Sequence, residues 1–113
     1  MITIYHNPRC SKSRQTLELL KGKGIEPEVN LYLDCPPSAE KLTDLLQKLG
    51  LEASQLVRKS EAYYKENLKG LEITENELID VMIKNPKLIQ RPIVVAGDRA
   101  AIGRPPEAVL EII

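Results

Sequence analysis

Residues 2 to 33 alternate between two hydrophobic periods in a way that leaves few folds open. Ile2-Thr3-Ile4-Tyr5 alternates and is β-branched or aromatic, which reads as a strand ending near His6. Asn7 and Pro8 break it, and a helix beginning around Cys10 or Ser11 carries Leu17 and Leu20 inward before stopping at Gly22 and Gly24. Residues 28 to 33, with Val29, Leu31 and Leu33 in alternation, form a second strand. Strand, helix and strand in so short a span make a βαβ unit, which requires parallel strands and a right-handed crossover.

The remainder of the chain adds helices and then a hairpin. Ser38 is placed to cap a helix bearing Leu42, Leu45, Leu46 and Leu49 and ending at Gly50. Residues 52 to 70 hold one or two short helices. Thr74 and Glu77 form a capping box for a helix whose apolar face is Leu78, Ile79, Met82 and Ile83, and Pro86 ends it. Short strands at 93–95 and 100–102 flank Gly97-Asp98, which lies one residue early for an ideal two-residue loop. Pro105 or Pro106 then opens a last helix with Val109 and Ile112 on its inner side. A parallel βαβ followed by an antiparallel hairpin and a closing helix predicts an α/β, thioredoxin-like fold: a four-stranded mixed sheet with flanking helices and a helical insertion before the third strand. Residues 1–113 read as one domain, since no linker or repeat interrupts them and a chain of this length buries roughly two-thirds of its extended surface.

Charge narrows the function classes. The 113 residues carry 16 Lys and Arg against 16 Asp and Glu, a net charge of zero. A broad basic field for nucleic acid is therefore missing, and four tyrosines with no Phe or Trp make a poor base-stacking platform. No apolar run reaches the roughly 18 residues of a membrane span, and the N-terminus lacks a signal-peptide layout. A cytoplasmic protein without membrane or nucleic-acid partners is expected. The neutrality hides local imbalance: Arg9, Lys12 and Arg14 have no acid among residues 1 to 17, and residues 84 to 104 set five cations against Asp98. Residues 61 to 80 hold six acids and two lysines. Should the basic segments meet in space, an anion site follows.

The two cysteines, Cys10 and Cys35, are too few for a disulfide framework, and with the single His6 they supply no metal-ligand set. Cys10 lies where the first strand passes into a helix. Free N-H groups and the helix dipole stabilise a thiolate there, and with nearby cations such thiols fall from about 8.5 to between roughly 3.5 and 7.5. Ser13 occupies the place of a resolving cysteine, so turnover on Cys10 needs an outside thiol or Cys35. His6, at the end of the feeding strand, is placed to support the thiolate. Arg58, Arg91 and Arg104 are candidates for gripping a tetrahedral oxyanion, because each guanidinium offers paired donors. Taken alone, a buried inert cysteine, a structural histidine and solvated arginines fit the same spacing.

Further motifs recur in order along almost the whole chain: I-T-I-Y-H-N-P-R-C-S-K-S-R, Y-L-D-C-P-P, L-V-R-K, R-P-I-V-V and G-R-P-P-E. In these the sequence resembles the glutaredoxin-coupled arsenate reductases. The resemblance implies that Cys10 attacks arsenate, that Arg58, Arg91 and Arg104 hold the oxyanion, and that His6, Ser13 and Arg14 support the nucleophile. It matches Pro92 to the proline that thioredoxin-like domains hold in cis beside the active cysteine. No bound cofactor is implied. Glutathione serves as co-substrate, adding to the thiol-arsenate adduct before electron transfer yields As(III), and glutaredoxin then clears glutathione from Cys10. Two alternatives share the fold: a thiol- or glutathione-handling oxidoreductase with another substrate, and an Spx-like regulator that binds RNA polymerase. The regulators carry a C-x-x-C switch, which Ser13 removes here.

Overall fold

Four strands pair in the order β2-β1-β3-β4: β1 (Ile2–Tyr5), β2 (Glu28–Asn30), β3 (Ile93–Ala96) and β4 (Arg99–Ile102). The computed structural model describes residues 2–113. β1 and β2 are parallel, with Ile4 opposite Val29, while β3 runs antiparallel to both β1 and β4. The crossover from β1 to β2 is α1 (Ser11–Gly22). The mixed four-stranded sheet is the thioredoxin-like arrangement that the element order predicts.

Two compact units divide the chain. The first comprises Met1–Cys35 with Arg91–Ile113 and contains the whole sheet; the second is Pro36–Gln90. In the first, α1 and a short 3-10 helix at Pro106–Glu111 pack together, and Leu20 and Val109 meet Ile4 and Val94 in a fully buried cluster. Tyr5 and Ile93, one residue along each strand, are buried on the opposite sheet face.

The second unit is helical: α2 (Ala39–Leu49), α3 (Ala53–Leu56), a π-helical turn at Tyr64–Leu68 and α4 (Glu75–Lys84), with α4 packed on α2 and α3. Local chemistry sets the ends as anticipated. Ser38 Oγ accepts from the Lys41 N-H, Gly50 closes α2 at φ 70°, and Thr74 and Glu77 complete a reciprocal capping box. Pro86 follows directly on the Asn85 C-cap of α4.

Three expectations are corrected, and two others gain detail. β2 has only three residues, because the chain leaves the sheet after Asn30 and Leu31 O accepts from the N-H groups of Asp34 and Cys35. Val29 and Leu31 are exposed and Tyr32 is buried instead, since β2 is an edge strand and alternation alone does not say which face is covered. On α1 the fully buried stripe is Ser13, Thr16 and Leu20, and Leu17, half-buried, packs against the same core cluster as Leu20, as expected. The hairpin loop is two residues after all: Ala96 pairs with Arg99, each strand is one residue longer than its apolar run, and Gly97 supplies the positive φ of 65° that a tight hairpin turn requires. The last helix is a 3-10 helix, with Ala108 N-H donating to Pro105 O and Ile112 N-H to Val109 O, three residues back in each case.

Removing the Leu20 side chain leaves a void under the sheet that neighbours fill only partly. Leu20→Ala is expected to cost roughly 2–5 kcal/mol in urea unfolding; a cost below about 1 kcal/mol would contradict its placement at the centre of this core.

Candidate active site

Between β1 and α1 the chain makes a turn held almost entirely by its own polar groups. The His6 N-H donates to Asn30 O at 2.8 Å, extending the parallel ladder one residue past β1. Asn7 then organises the turn: its Oδ1 accepts from the Arg9 N-H at 3.0 Å and its carbonyl from the Cys10 N-H at 3.0 Å. Cys10 takes the extended backbone of an N-cap, and its carbonyl accepts the first helical bond, from Arg14 N-H at 3.0 Å. Its thiol is thereby left at the open end of α1. Ser13, one turn into the helix and fully buried, reaches back: its Oγ accepts from the Asn7 N-H at 3.0 Å and shares a 2.6 Å hydrogen bond with His6 Nδ1.

Two arginines converge on the sulfur at the same end of the sheet: Arg91 shortly precedes β3 and Arg104 shortly follows β4, where Tyr5, Ile93 and Ile102 lie side by side. Arg104 Nη2 donates to Cys10 Sγ at 3.4 Å, while its Nε donates to the Arg91 carbonyl at 2.8 Å. Arg91 hydrogen-bonds the same sulfur through its side chain. Burial by itself pushes the Cys10 thiol up. It is outweighed by the Ser13 N-H, the Arg91 guanidinium, the Lys12 N-H and the Arg104 charge, and the thiol lies below its ordinary value. The two helix amides face the sulfur as electrostatic partners rather than as a closed side-chain cap. His6 is also lowered, first by burial and then by the charge of Lys21, so the ring that touches Ser13 is neutral near pH 7.

Cys10, His6, Ser13, Arg91, Pro92 and Arg104 thus all lie in the first unit, and the Arg91–Pro92 peptide bond is cis. The Arg104–Pro105 bond is cis as well, which the sequence reading did not anticipate. Arg14 contributes its backbone to the first turn of α1, and its side chain is exposed. Arg58 belongs to the second unit, just beyond α3, where its N-H bonds Leu88 O and its Nε lies 4.0 Å from Glu61. Cys35 is free and exposed, as a loop thiol after β2.

Three contributors escaped the sequence reading. Asn7 reads as a strand breaker, yet it is buried and organises the cysteine turn. Thr16 and Gly103 touch behind the arginines, and only the i, i+3 spacing of Thr16 from Ser13 hints at a shared buried face. Among the described residues no group of three or more His, Cys, Asp or Glu is arranged to hold a metal ion, and no helix is long and apolar enough to cross a membrane.

A thiol lowered by helix amides and two guanidinium groups offers a thiolate beside paired cationic donors, the chemistry that an anion meets. The model of the ArsC family matches residues 5–112. The chain belongs to the ArsC family. Among its relatives, an arsenate reductase of Haemophilus influenzae is 47% identical over 99% of this chain and 98% of its own length. The uncharacterized protein YfgD of Escherichia coli K12 is 58% identical over 99% of this chain and 96% of its own. A solved arsenate reductase from Vibrio cholerae superposes with a TM-score of 0.96 at 51% identity, covering 99% of this chain and 97% of that one.

Because the folded site favours the thiolate, alkylation of Cys10 by iodoacetamide is expected to rise with pH around a midpoint below that of a free thiol. Removing a cation favours the thiol, so Arg104→Met should move the midpoint upward and slow alkylation at pH 7. An unchanged midpoint in a folded Arg104→Met protein would remove Arg104 from the electrostatics of this site.

Proposed function

We propose that this ArsC-family protein reduces arsenate to arsenite with glutathione and glutaredoxin, and that Cys10 is its nucleophile. The observation that carries the reading is the Cys10 sulfur at the N-terminus of α1 with Arg104 Nη2 at 3.4 Å and the Arg91 side chain also bonded to it. A dianion docking there meets both guanidinium groups and the helix amides, whose partial charge complements the oxyanion. The Cys10 thiolate displaces water from arsenic, forming a sulfur-arsenic bond. Glutathione thiolate then attacks that sulfur, and the bonding pair leaves with arsenic as As(III). Two electrons have moved, and Cys10 remains as a mixed disulfide with glutathione. A glutaredoxin thiolate takes the glutathione sulfur and returns the Cys10 thiolate.

Ser13 cannot resolve the mixed disulfide internally, which supports an external thiol. His6, neutral and bonded to Ser13, holds the serine in place behind the cysteine turn. A groove of about 820 Å³ runs along α1 from Ser11 to Lys23, between that helix and the Pro106–Glu107 turn. Arg14 and Lys23, with Glu18 and Glu107, give its walls both signs of charge, which suits the carboxylates and ammonium of a peptide thiol. Residues 1–113 act as a single domain in this reading, and the need for reduced glutathione puts the protein in the cytoplasm.

The test is a coupled NADPH assay containing glutathione, glutathione reductase and glutaredoxin, with and without arsenate. Arsenate-dependent oxidation is expected for the native chain and none for Cys10→Ser. Arg91→Ala should raise KM for arsenate roughly ten- to hundredfold, the worth of a charge-assisted hydrogen bond of about 1.5–3 kcal/mol. Full turnover in Cys10→Ser would refute the mechanism.

A further inference from the structure

Arg91 and Arg104 are 13 positions apart in sequence, and one small contact brings them together. Gly103 lies between Ile102, the last residue of β4, and Arg104, and it is buried. Its N-H donates to Pro92 O at 2.9 Å, and the Arg104 N-H donates to Ile102 O at 2.9 Å across it, so the chain turns tightly at this residue. The φ of Gly103 is not in the left-handed region, so the backbone conformation alone would accept other residues. Space would not. A Cβ at Gly103 would collide with Thr16 Oγ1, stand 2.8 Å from Pro92 Cγ and 3.1 Å from Thr16 Cγ2. Every other described glycine has nothing within 4 Å of such an atom.

Thr16 has little freedom to yield. It is fully buried in the middle of α1, and its Oγ1 donates to Lys12 O at 2.8 Å, which fixes its rotamer. Pro92 is buried at the entry to β3, directly after Arg91. The three residues therefore lock α1, the start of β3 and the end of β4 against one another. Each residue of the lock neighbours part of the site: Arg91 precedes Pro92, Arg104 follows Gly103, and Thr16 is on the helix whose N-terminus holds Cys10. The lock also accounts for the bond from Arg104 Nε to the Arg91 carbonyl, since it brings those two backbones to the same place.

We propose that Gly103 is a positioning residue: its lack of a side chain lets β4 close onto Thr16 and the Pro92 ring, and this closure aims Arg91 and Arg104 at Cys10. The proposal rests on the reading of those arginines as the oxyanion grip. Neither Gly103 nor Thr16 touches the sulfur in the described contacts, and both act through the residues they place. An added methyl has to push the end of β4 away from α1, and Arg104 moves with it.

The test uses the full chain and needs no arsenate. Alkylation of Cys10 by anionic iodoacetate, relative to neutral iodoacetamide, reports how strongly the arginines attract an anion to the sulfur, and its pH dependence reports the thiolate. Gly103→Ala is expected to lower the iodoacetate preference roughly tenfold or more, the scale on which a displacement of about 1 Å acts in such sites, and to raise the pH midpoint. Introducing Gly103→Ala into a Thr16→Ala background should lower the preference less, because the new methyl can move into the space that Oγ1 and Cγ2 vacate and away from the Pro92 ring, the one close neighbour left; this non-additivity separates positioning from general destabilisation. A folded Gly103→Ala protein with native preference and midpoint would overturn the proposal, as would an equal loss in both backgrounds. Where Gly103→Ala alone does not fold, the double variant decides: recovered folding with anion preference supports the lock, and a double variant that is unfolded or lacks the preference overturns it. Absence of arsenate turnover in the native chain, with these alkylation results intact, would refute the substrate and leave the positioning standing.

Discussion

The hydroxyl of Ser13 is the point on which the cysteine turn depends. It sits at zero exposure one helical turn below Cys10 and takes the Asn7 N-H on one side and His6 Nδ1 on the other. A buried hydroxyl without partners would cost about 1–3 kcal/mol. With both partners present, the end of β1, the turn and the first turn of α1 are tied to one atom. Asn7 can then hold the Arg9 and Cys10 amides, and the thiol is left facing outward from the helix end. The same residue bears on the chemistry: a serine gives the turn its structure and, having no thiol, cannot form a disulfide with Cys10.

Electrostatics at the site is a contest of opposing effects rather than a simple accumulation of positive charge. Partial burial works against the thiolate, and it is the largest single influence on Cys10. The helix amides and two guanidinium groups overcome it. Burial of His6 acts in the same sense as the charge of Lys21, and both keep the ring neutral. A neutral ring preserves the short hydrogen bond to Ser13 without adding a further cation. The net charge of zero along the chain does not preclude local positive charge around Cys10, because residues 1 to 17 hold three cations and no acid while six of the 16 acids fall between Glu61 and Asp80.

Much of this was readable from residue types alone where the deciding physics is local. The Ser38 and Thr74 caps, the Gly50 stop and the order of strands and helices follow from hydrogen bonds within a few residues. The placement of Cys10 at a strand-helix junction was also legible, as was the absence of a second thiol at position 13. What failed was what depends on distant partners. Val29 and Leu31 alternate like a half-buried strand, but their exposure is set by an edge position that only the assembled sheet defines. The convergence of Arg91 and Arg104 could be suspected from motifs, yet the contact that produces it, Thr16 against Gly103 and Pro92, joins segments far apart in sequence and leaves no local signature.

On the proposed reaction, Cys10 carries one arsenate to arsenite, is left as a mixed disulfide with glutathione, and waits for glutaredoxin. Intact-mass analysis after mixing the native chain with arsenate and glutathione, in the absence of glutaredoxin, tests it most directly. The prediction is a stalled protein bearing one glutathione on Cys10, formed only with arsenate present and cleared when glutaredoxin is added. An adduct that forms equally without arsenate, or one located on Cys35 with Cys10 unmodified, would contradict it.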